Sequence, residues 1–266
     1  MELYLSALIL GIVEGVTEFL PVSSTGHLLI AESLLKSHQT DAFNVLIQVG
    51  PIVAVTLVFW KHIVGLVTGL GDPLKRDEVV KLATCFILTG IGGVVAKKLG
   101  LKLPETMLPI ALATIIGGVA IFVIERRAHG KVLSESIPWA VVVAVAAGQL
   151  LAAIFPGTSR SGAAVMAALV LGLSRPAAVR FAFLVGIPTM FAAGALQLKE
   201  AIDAGQASAL VAPSAILAFV VATVTAWLSV VWLVKFVQRR DFVPFAWYRL
   251  ALGAVMLGLM AMGIVA

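Results

Sequence analysis

Long runs of apolar residues, separated by short polar turns, dominate the chain. Clear apolar blocks cover Phe43–Trp60, Met107–Ile124, Ile137–Phe155, Val179–Leu198, Ala209–Val234 and Phe245–Ala266, and a weaker block covers Leu82–Ala96. Most of these blocks are long enough to cross a bilayer, because about 20 helical residues span ~30 Å of hydrocarbon. A membrane β-barrel would instead have short alternating segments. The pattern predicts an all-α polytopic membrane protein.

The composition supports a membrane protein. Of 266 residues, 61% are hydrophobic and 12% are charged, with a mean hydropathy of +1.07, whereas soluble domains have roughly 45–50% and 25%. The net charge of +5 comes from basic residues in short loops, which are typical of the cytoplasmic side. We therefore expect no nucleic-acid partner. The opening residues carry Glu2 and no Lys or Arg, so we expect no cleavable signal, and the single Cys85 excludes an internal disulfide.

The layout of the first half of the chain recurs in the second half. Glu14 precedes Pro21 by seven positions, and Gln149 precedes Pro156 by seven. Each proline opens a polar turn, which is followed by an apolar piece too short to span and then by a longer apolar block. The repeat predicts one transmembrane domain, residues 1–266, made of two related halves at about 1–125 and 130–266.

The two polar turns interrupt apolar sequence, and irregular backbone at membrane depth must be buried in protein or line a wet cavity. The short apolar pieces that follow them are Leu28–Leu35 and Ala163–Leu173. Breaks of this kind in internal repeats commonly mark binding sites. We expect an inverted repeat with two re-entrant helical hairpins that meet near the membrane midplane.

Glu14 and Glu18 are four residues apart and share one face of a helix. Each carboxylate inside a membrane costs ~2.5 kcal/mol or more, so the pair requires compensation. A divalent cation that bridges both carboxylates to a phosphate would provide it. The alternative is that they are helix-end groups in a wet vestibule.

The first polar turn continues into a cluster of small polar residues, namely Ser23, Ser24, Thr25, Gly26 and His27. Hydroxyls and free backbone N–H groups at a helix start form an anion site. Ser24 and His27 are three apart, which on a helix places a hydroxyl beside an imidazole, the minimal activated nucleophile. The alternative is an ordinary helix cap beside a core histidine.

The second turn carries Gly157, Ser159, Arg160, Ser161 and Gly162, with Gln149 before it. An arginine between apolar segments needs a buried partner, and its guanidinium matches phosphate oxygens bidentately. The two glycines permit close approach of the backbone to an anion. The alternative is a structural ion pair of Arg160 with Glu14 or Glu18.

Together these groups suit phosphoryl transfer, which needs positioning, charge neutralisation and a nucleophile. A nucleotide-binding loop is absent from the sequence, so the expected substrate is a lipid phosphate in the membrane. We expect Ser24 to attack with His27 as base, with attack by His27 or by metal-bound water as alternatives. The competing function is a transporter or flippase for an anionic lipid phosphate.

The segments Glu14–His27 and Pro156–Gly162 resemble the two signature motifs of bacterial undecaprenyl-diphosphatases, the bacitracin-resistance family. Phe43–Trp60 and Phe242–Arg249 are also similar to that family. The resemblance implies hydrolysis of undecaprenyl diphosphate, which recycles the lipid carrier of peptidoglycan synthesis. It further implies a divalent metal, Mg²⁺ or Ca²⁺, an inverted-repeat fold that is often a homodimer, and a multi-pass location in the bacterial inner membrane.

The residue pattern and the resemblance together lead us to expect roles for individual residues. Catalysis is expected from Glu18, Ser24, His27 and Arg160, metal binding from Glu14 and Glu18, and substrate binding from Ser23, Thr25, Gly26, Gln149, Gly157, Ser159, Ser161 and Gly162. The chain departs from the family pattern at Ala164 and Ala182, where the family often has hydroxyl residues.

Overall fold

The computed structural model describes residues 2–37, 39–101, 103 and 106–265. Residues 1 and 266, the outer limits of the two predicted halves, lie outside this range. The helices of the described residues are α1 Glu2–Thr17, α2 Ser24–Leu35, α3 Asp41–Thr68, α4 Pro73–Lys98, α5 Met107–Ala128, α6 Trp139–Ile154, α7 Arg160–Val170, α8 Arg175–Asp203, α9 Ala207–Leu210, α10 Pro213–Phe236 and α11 Val243–Ala261.

Within the described part of the chain, six helices are long and apolar enough to cross a membrane, namely α3, α4, α5, α8, α10 and α11. The prediction of an all-α polytopic membrane protein is confirmed. The weak block Leu82–Ala96 is the interior of the 26-residue α4, whose start is capped by Asp72 and whose first turns are charged. The prediction that Ile137–Phe155 forms a spanning block is wrong, because α6 has only 16 residues and ends at the second break.

Helix lengths recur in the same order in both halves. The pairs are α1 and α6 with 16 residues each, α2 and α7 with 12 and 11, α3 and α8 with 28 and 29, α4 and α10 with 26 and 24, and α5 and α11 with 22 and 19. The long third member of each set contains an interior proline, Pro51 in α3 and Pro188 in α8. This correspondence supports the two-half organisation.

Polar contacts tie the helix termini together at two ends of the bundle. At the first, which we call the Glu125 end, the Glu125 carboxylate accepts hydrogen bonds from Arg175 at the start of α8 and from the Phe242 N–H before α11. At the second, the Gln206 end, the Gln206 side chain accepts from the Ala42 N–H at the start of α3. Each long helix runs between these two ends.

The hairpin α1–α2 starts and returns at the Gln206 end. Helix α1 runs parallel to α10, because Gly11 lies against Ala218 and Gly15 lies against Ala222. The close of α2 and the start of α3 share an apolar cluster with the start of α10. The first hairpin therefore packs mainly on a helix of the second half.

The hairpin α6–α7 starts and returns at the Glu125 end. Helix α6 runs parallel to α4, because Lys81 lies over the Trp139 ring and Gly92 lies against Leu150. After α7, Gly172 accepts a backbone hydrogen bond from Ser134, which precedes α6. The two hairpins thus enter the bundle from opposite ends, and each packs on the fourth helix of the other half.

The largest apolar core surrounds the second hairpin and includes buried residues of α6, α7 and α8. Phe181 in α8 is fully buried within it. Phe19, from the first break, joins this core, with its ring centroid 4.9 Å from that of Phe183. The core therefore fixes one break against the helices that carry the other.

The interface of α1 with α10 predicts that Gly15→Ala destabilises the protein. A Cβ at residue 15 would lie 2.9 Å from the Ala226 backbone nitrogen and would overlap Thr225. We expect a loss of about 1–3 kcal/mol from overpacking. Thermal unfolding in detergent measures it, with Gly90→Ala in α4 as control. A Cβ at residue 90 meets open space, so the control should be neutral or gain up to about 1 kcal/mol; equal effects would contradict the packing argument.

Candidate active site at the two helix breaks

Each break ends in a serine that caps the following helix in the same unusual conformation. Ser23 has a φ of 78° and Ser159 a φ of 68°. The Ser23 hydroxyl accepts from the Gly26 N–H at 3.3 Å, and the Ser159 hydroxyl accepts from the Gly162 N–H at 3.2 Å. Aligned on these two caps, Ser24 and Arg160 are the corresponding first residues of α2 and α7.

Glu18, in the first break, accepts one hydrogen bond from each half of the chain. The Ser24 hydroxyl donates to Oε2 at 2.6 Å, and the Arg160 guanidinium donates to Oε1 at 2.7 Å. The Glu18 side chain is only 8% exposed, whereas Arg160 is 35% exposed. A carboxylate that binds a hydroxyl on one oxygen and a cation on the other thus joins the two helix starts.

Both ring nitrogens of His27 are bonded to groups other than Ser24. Nδ1 lies 2.7 Å from the Ser23 carbonyl oxygen, and Nε2 lies 2.7 Å from the Tyr248 hydroxyl. A carbonyl only accepts, so Nδ1 carries a proton, and Nε2 of the neutral ring accepts from Tyr248. The predicted pairing of Ser24 with His27 is therefore not formed in this structure. The hydroxyl of Ser24 points to Glu18, while His27 supports the cap residue before it.

The hydroxyls of the second break contact the backbone of the first. The Ser161 hydroxyl lies 3.3 Å from the carbonyl oxygens of both Glu18 and Leu20, and the Ser159 hydroxyl lies 3.4 Å from that of Leu20. A Cβ at Gly162 would lie 3.2 Å from Pro21 Cβ. In this structure these predicted substrate-binding residues join the two breaks.

Three further predicted residues line the breaks. Thr25 is half-buried in the first turn of α2, and Gly26 beside it faces Met256 of α11. Gly157 has a φ of 92°, and a Cβ there would lie 2.8 Å from Ile110 Cα, so the position requires glycine.

Glu14 and Gln149 are the buried polar residues at equivalent places in α1 and α6, 1% and 2% exposed. Both Glu14 carboxylate oxygens and the Gln149 Nε2 lack a hydrogen-bond partner among the described residues. Gln149 lines a small crevice with Glu18 and Arg160, and Ala164 and Ala182 lie on its wall. A buried carboxylate without a hydrogen bond requires a proton or a cation beside it.

The donor set fits a hydrated divalent cation rather than an all-protein cage. The described residues contain no group of three or more His, Cys, Asp or Glu side chains that could hold a metal. They offer two carboxylates one helical turn apart, Glu14 and Glu18. Mg²⁺ commonly binds one or two carboxylates while it keeps water and takes phosphate oxygens from a substrate. The orphaned Glu14 oxygens are free for that purpose.

Arg249 in α11 is a site residue that the motifs missed. It is 1% exposed, and it donates to the carbonyl oxygens of Pro21 at 3.2 Å and Gly157 at 3.0 Å, one in each break. It also donates to Thr114 and Ala113 of α5 at 3.0 and 3.1 Å. The sequence signal that could have identified Arg249 is a charged residue within an apolar block, the same signal that identified Arg160.

The arrangement is suited to nucleophilic attack on a phosphate. A serine hydroxyl bonded to a carboxylate has a base for its proton. The starts of α2 and α7 lie on either side of that carboxylate, and helix N-termini favour anions. Arg160 adds a guanidinium with half-exposed surface, which can engage phosphate oxygens.

The chain is similar over nearly its whole length to proteins of one family. Residues 7–255 match the family described as bacitracin resistance protein BacA. The chain is 47% identical over 264 residues to a protein named undecaprenyl-diphosphatase from Rhizobium johnstonii, with 99% of each chain covered. It is 48% identical over 253 residues to a protein of the same name from Xylella fastidiosa, with 95% and 97% covered.

The cap geometry predicts an order of stability for variants of Ser159. Ser159→Ala loses the hydrogen bond from Gly162 and keeps the strain of a positive φ, at a cost of about 1 kcal/mol. Ser159→Gly loses the same bond but adopts the positive φ freely. Its cost in unfolding free energy should therefore be only a few tenths of ~1 kcal/mol. Thermal unfolding in detergent compares the two variants. An alanine variant as stable as the glycine variant would contradict the strained cap.

Proposed function

The chain belongs to the family of bacitracin resistance protein BacA, and on that premise we propose that it hydrolyses undecaprenyl diphosphate to undecaprenyl phosphate and inorganic phosphate. The activity recycles the lipid carrier of peptidoglycan synthesis and accounts for the family's link to bacitracin resistance. The observation that carries the proposal is Glu18, bonded to Ser24 and to Arg160. A transporter is not favoured, because relatives at 45–48% identity are named diphosphatases and a carrier has no use for an activated hydroxyl.

Ser24 is the nucleophile of the proposed reaction and Glu18 is its base. The Ser24 oxygen bonds to the terminal phosphorus, its proton passes to Glu18, and the bond from that phosphorus to the bridging oxygen breaks. Undecaprenyl phosphate leaves with the bridging oxygen, which takes the proton from Glu18, and a phosphoserine remains. Water then attacks the phosphoserine and gives a proton to Glu18, and phosphate departs as Glu18 returns that proton to the Ser24 oxygen.

Arg160 stabilises the charge that develops on the transferring phosphoryl oxygens. Its guanidinium already lies beside Glu18, so it is close to the Ser24 oxygen as well. Charge stabilisation by a preorganised donor is commonly the largest contribution to catalysis of this kind. The N–H groups at the start of α2, together with Ser23, Thr25 and Gly26, orient the diphosphate in the same model of the reaction.

His27 acts through the helix cap rather than as the base. Its Nδ1–H holds the Ser23 carbonyl, and Tyr248 holds the ring from the other side. Ser23 directly precedes Ser24, so His27 orients the residue that carries the nucleophile.

A divalent cation, Mg²⁺ in preference to Ca²⁺, is held by Glu14 and Glu18 in this proposal. Bound there, it would neutralise charge on the diphosphate. Mg²⁺ is preferred because two protein carboxylates are enough for it, whereas Ca²⁺ takes six to eight oxygens. The remaining predicted substrate contact, Gln149, lies with its unbonded Nε2 at the crevice beside Arg160.

The protein is an integral multi-pass membrane protein, and we assign it to the inner membrane with the Glu125 end toward the cytoplasm. The basic residues in the loops and outer turns at that end are Lys61, Lys75, Arg76, Lys81, Arg126, Arg127, Lys131, Arg175, Arg180, Lys235, Arg239 and Arg240. Those described at the Gln206 end are Lys36, Lys97, Lys98 and Lys199. Basic loops stay on the cytoplasmic side. The two short hairpins are then re-entrant from opposite faces and meet near the midplane.

The mechanism predicts a phosphoserine at residue 24. Purified protein in detergent should release phosphate from undecaprenyl diphosphate, and chelation should reduce the rate. Single turnover with labelled terminal phosphate, quenched in acid, should leave label on Ser24. Ser24→Ala should abolish turnover, and Glu18→Gln should slow it at least ~10²-fold through loss of the base.

Ser33→Ala is the matched control for these variants. Ser33 lies on the same helix, where its hydroxyl donates only to the Leu29 carbonyl at 2.8 Å, so turnover should be unchanged. Label on His27, or substantial turnover in Ser24→Ala, would exclude Ser24 as the nucleophile.

The proposed orientation predicts which cysteines react from outside the cell. In a Cys85→Ala background, Lys199→Cys at the Gln206 end should react in intact cells with a membrane-impermeant maleimide. Arg239→Cys at the Glu125 end should react only after the membrane is permeabilised. The opposite pattern would reverse the assigned orientation.

A further inference from the structure

We propose that Arg249 is a positioning residue that sets the distance and the register between the two helix breaks. The inference rests on the proposed function, since its consequence is a change in turnover. Arg249 lies in α11 and belongs to neither signature motif. Its guanidinium is nevertheless the group that binds the backbone of both breaks at once, through the carbonyls of Pro21 and Gly157.

The planar shape of the guanidinium matches this task. Nη1 faces the first break and Nη2 faces the second, while Nε and Nη2 also bind the carbonyls of Thr114 and Ala113 on α5. The fork thus connects three chain segments, the two breaks and α5, through one guanidinium. Lysine has a single nitrogen with three donors, so it cannot reach four acceptors spread around a fork.

The partners of Arg249 are unusual for a buried cation. Among the described residues it forms no ion pair; its four hydrogen-bond partners are backbone carbonyls. A buried charge needs compensation, and carbonyls freed from helical bonding need donors. The contact meets both needs, since Pro21 and Gly157, whose carbonyls it binds, are themselves buried. An arginine kept only for an ion pair would instead face a carboxylate.

The surrounding backbone is shaped to hold the guanidinium in one place. Gly117 of α5 lies against it, and a Cβ there would lie 2.7 Å from Arg249 Cζ. The Thr114 hydroxyl donates to the same Gly157 carbonyl that Arg249 binds. The guanidinium therefore packs closely against α5, and its hydrogen bonds hold the two breaks in position relative to that helix.

The consequence for catalysis follows from where the reacting groups sit. Glu18 lies three residues before Pro21 and Ser24 three residues after it, whereas Arg160 lies three residues after Gly157. A shift of one break relative to the other would separate Arg160 from the Glu18–Ser24 pair. Misplacement of about 1 Å commonly costs about 10²-fold in rate.

The test compares Arg249→Lys with Gly253→Val in the purified full-length protein. Gly253 is one turn further along the same face of α11, and a Cβ there would overlap Ile115, so its variant loosens the α5–α11 contact away from the breaks. We expect Arg249→Lys to lower kcat about 10²-fold with little change in KM. Gly253→Val should lower the unfolding temperature. Its kcat per folded molecule should stay within about 3-fold of that of the unaltered protein, because sites that share no partners affect each other little.

Hydrogen–deuterium exchange of the same proteins gives a readout that is independent of turnover. Peptides that cover residues 18–26 and 155–162 should exchange faster in Arg249→Lys and should be unaffected in Gly253→Val. If the unaltered protein released no phosphate, the proposed function would be wrong. The exchange experiment would still test whether Arg249 holds the two breaks in place. Unchanged exchange at both breaks, or a kcat in Arg249→Lys equal to that of Gly253→Val, would overturn the positioning role.

Discussion

The need to bond every backbone group inside an apolar bundle governs this structure. A helix meets that need by itself, but each of the two breaks releases carbonyl and N–H groups where water is scarce. The freed N–H groups bind the cap hydroxyls of Ser23 and Ser159, and freed carbonyls bind Arg249, Ser159 and Ser161. The residues that close the breaks also hold the breaks against each other.

The two halves share a framework but differ in the chemistry they attach to it. Both caps have the same conformation, yet the next residue is Ser24 in one half and Arg160 in the other. Glu18 lies between them and binds both. A strictly symmetric pair would have offered two hydroxyls or two guanidinium groups. The divergence of the halves therefore creates a site that neither half contains alone, with a hydroxyl from one and a guanidinium from the other.

The same division appears deeper in the bundle. Glu14 in α1 and Gln149 in α6 occupy matching places, and both have polar atoms without partners. One is a carboxyl group and the other is a neutral amide, so the two halves also differ in the chemistry that they place here. Tyr248 and Arg249 extend the site to α11 by supporting His27 and the two breaks respectively.

The sequence by itself determined the helical membrane class, the two breaks and most of the polar residues around them. These features are local or periodic. An apolar run of sufficient length indicates a membrane span, and a charged residue within such a run indicates a polar or charged partner. Tertiary structure alone decided which partner each group has. It joined Ser24 to Glu18 instead of His27, and it shortened Ile137–Phe155 to a half-length helix because its end meets the second break. It also brought Arg249 to both breaks, across sequence separations that no spacing rule covers. Hydrogen bonds between helices depend on how the helices pack in three dimensions. The hydropathy pattern of a segment depends on that segment alone and therefore does not predict this packing.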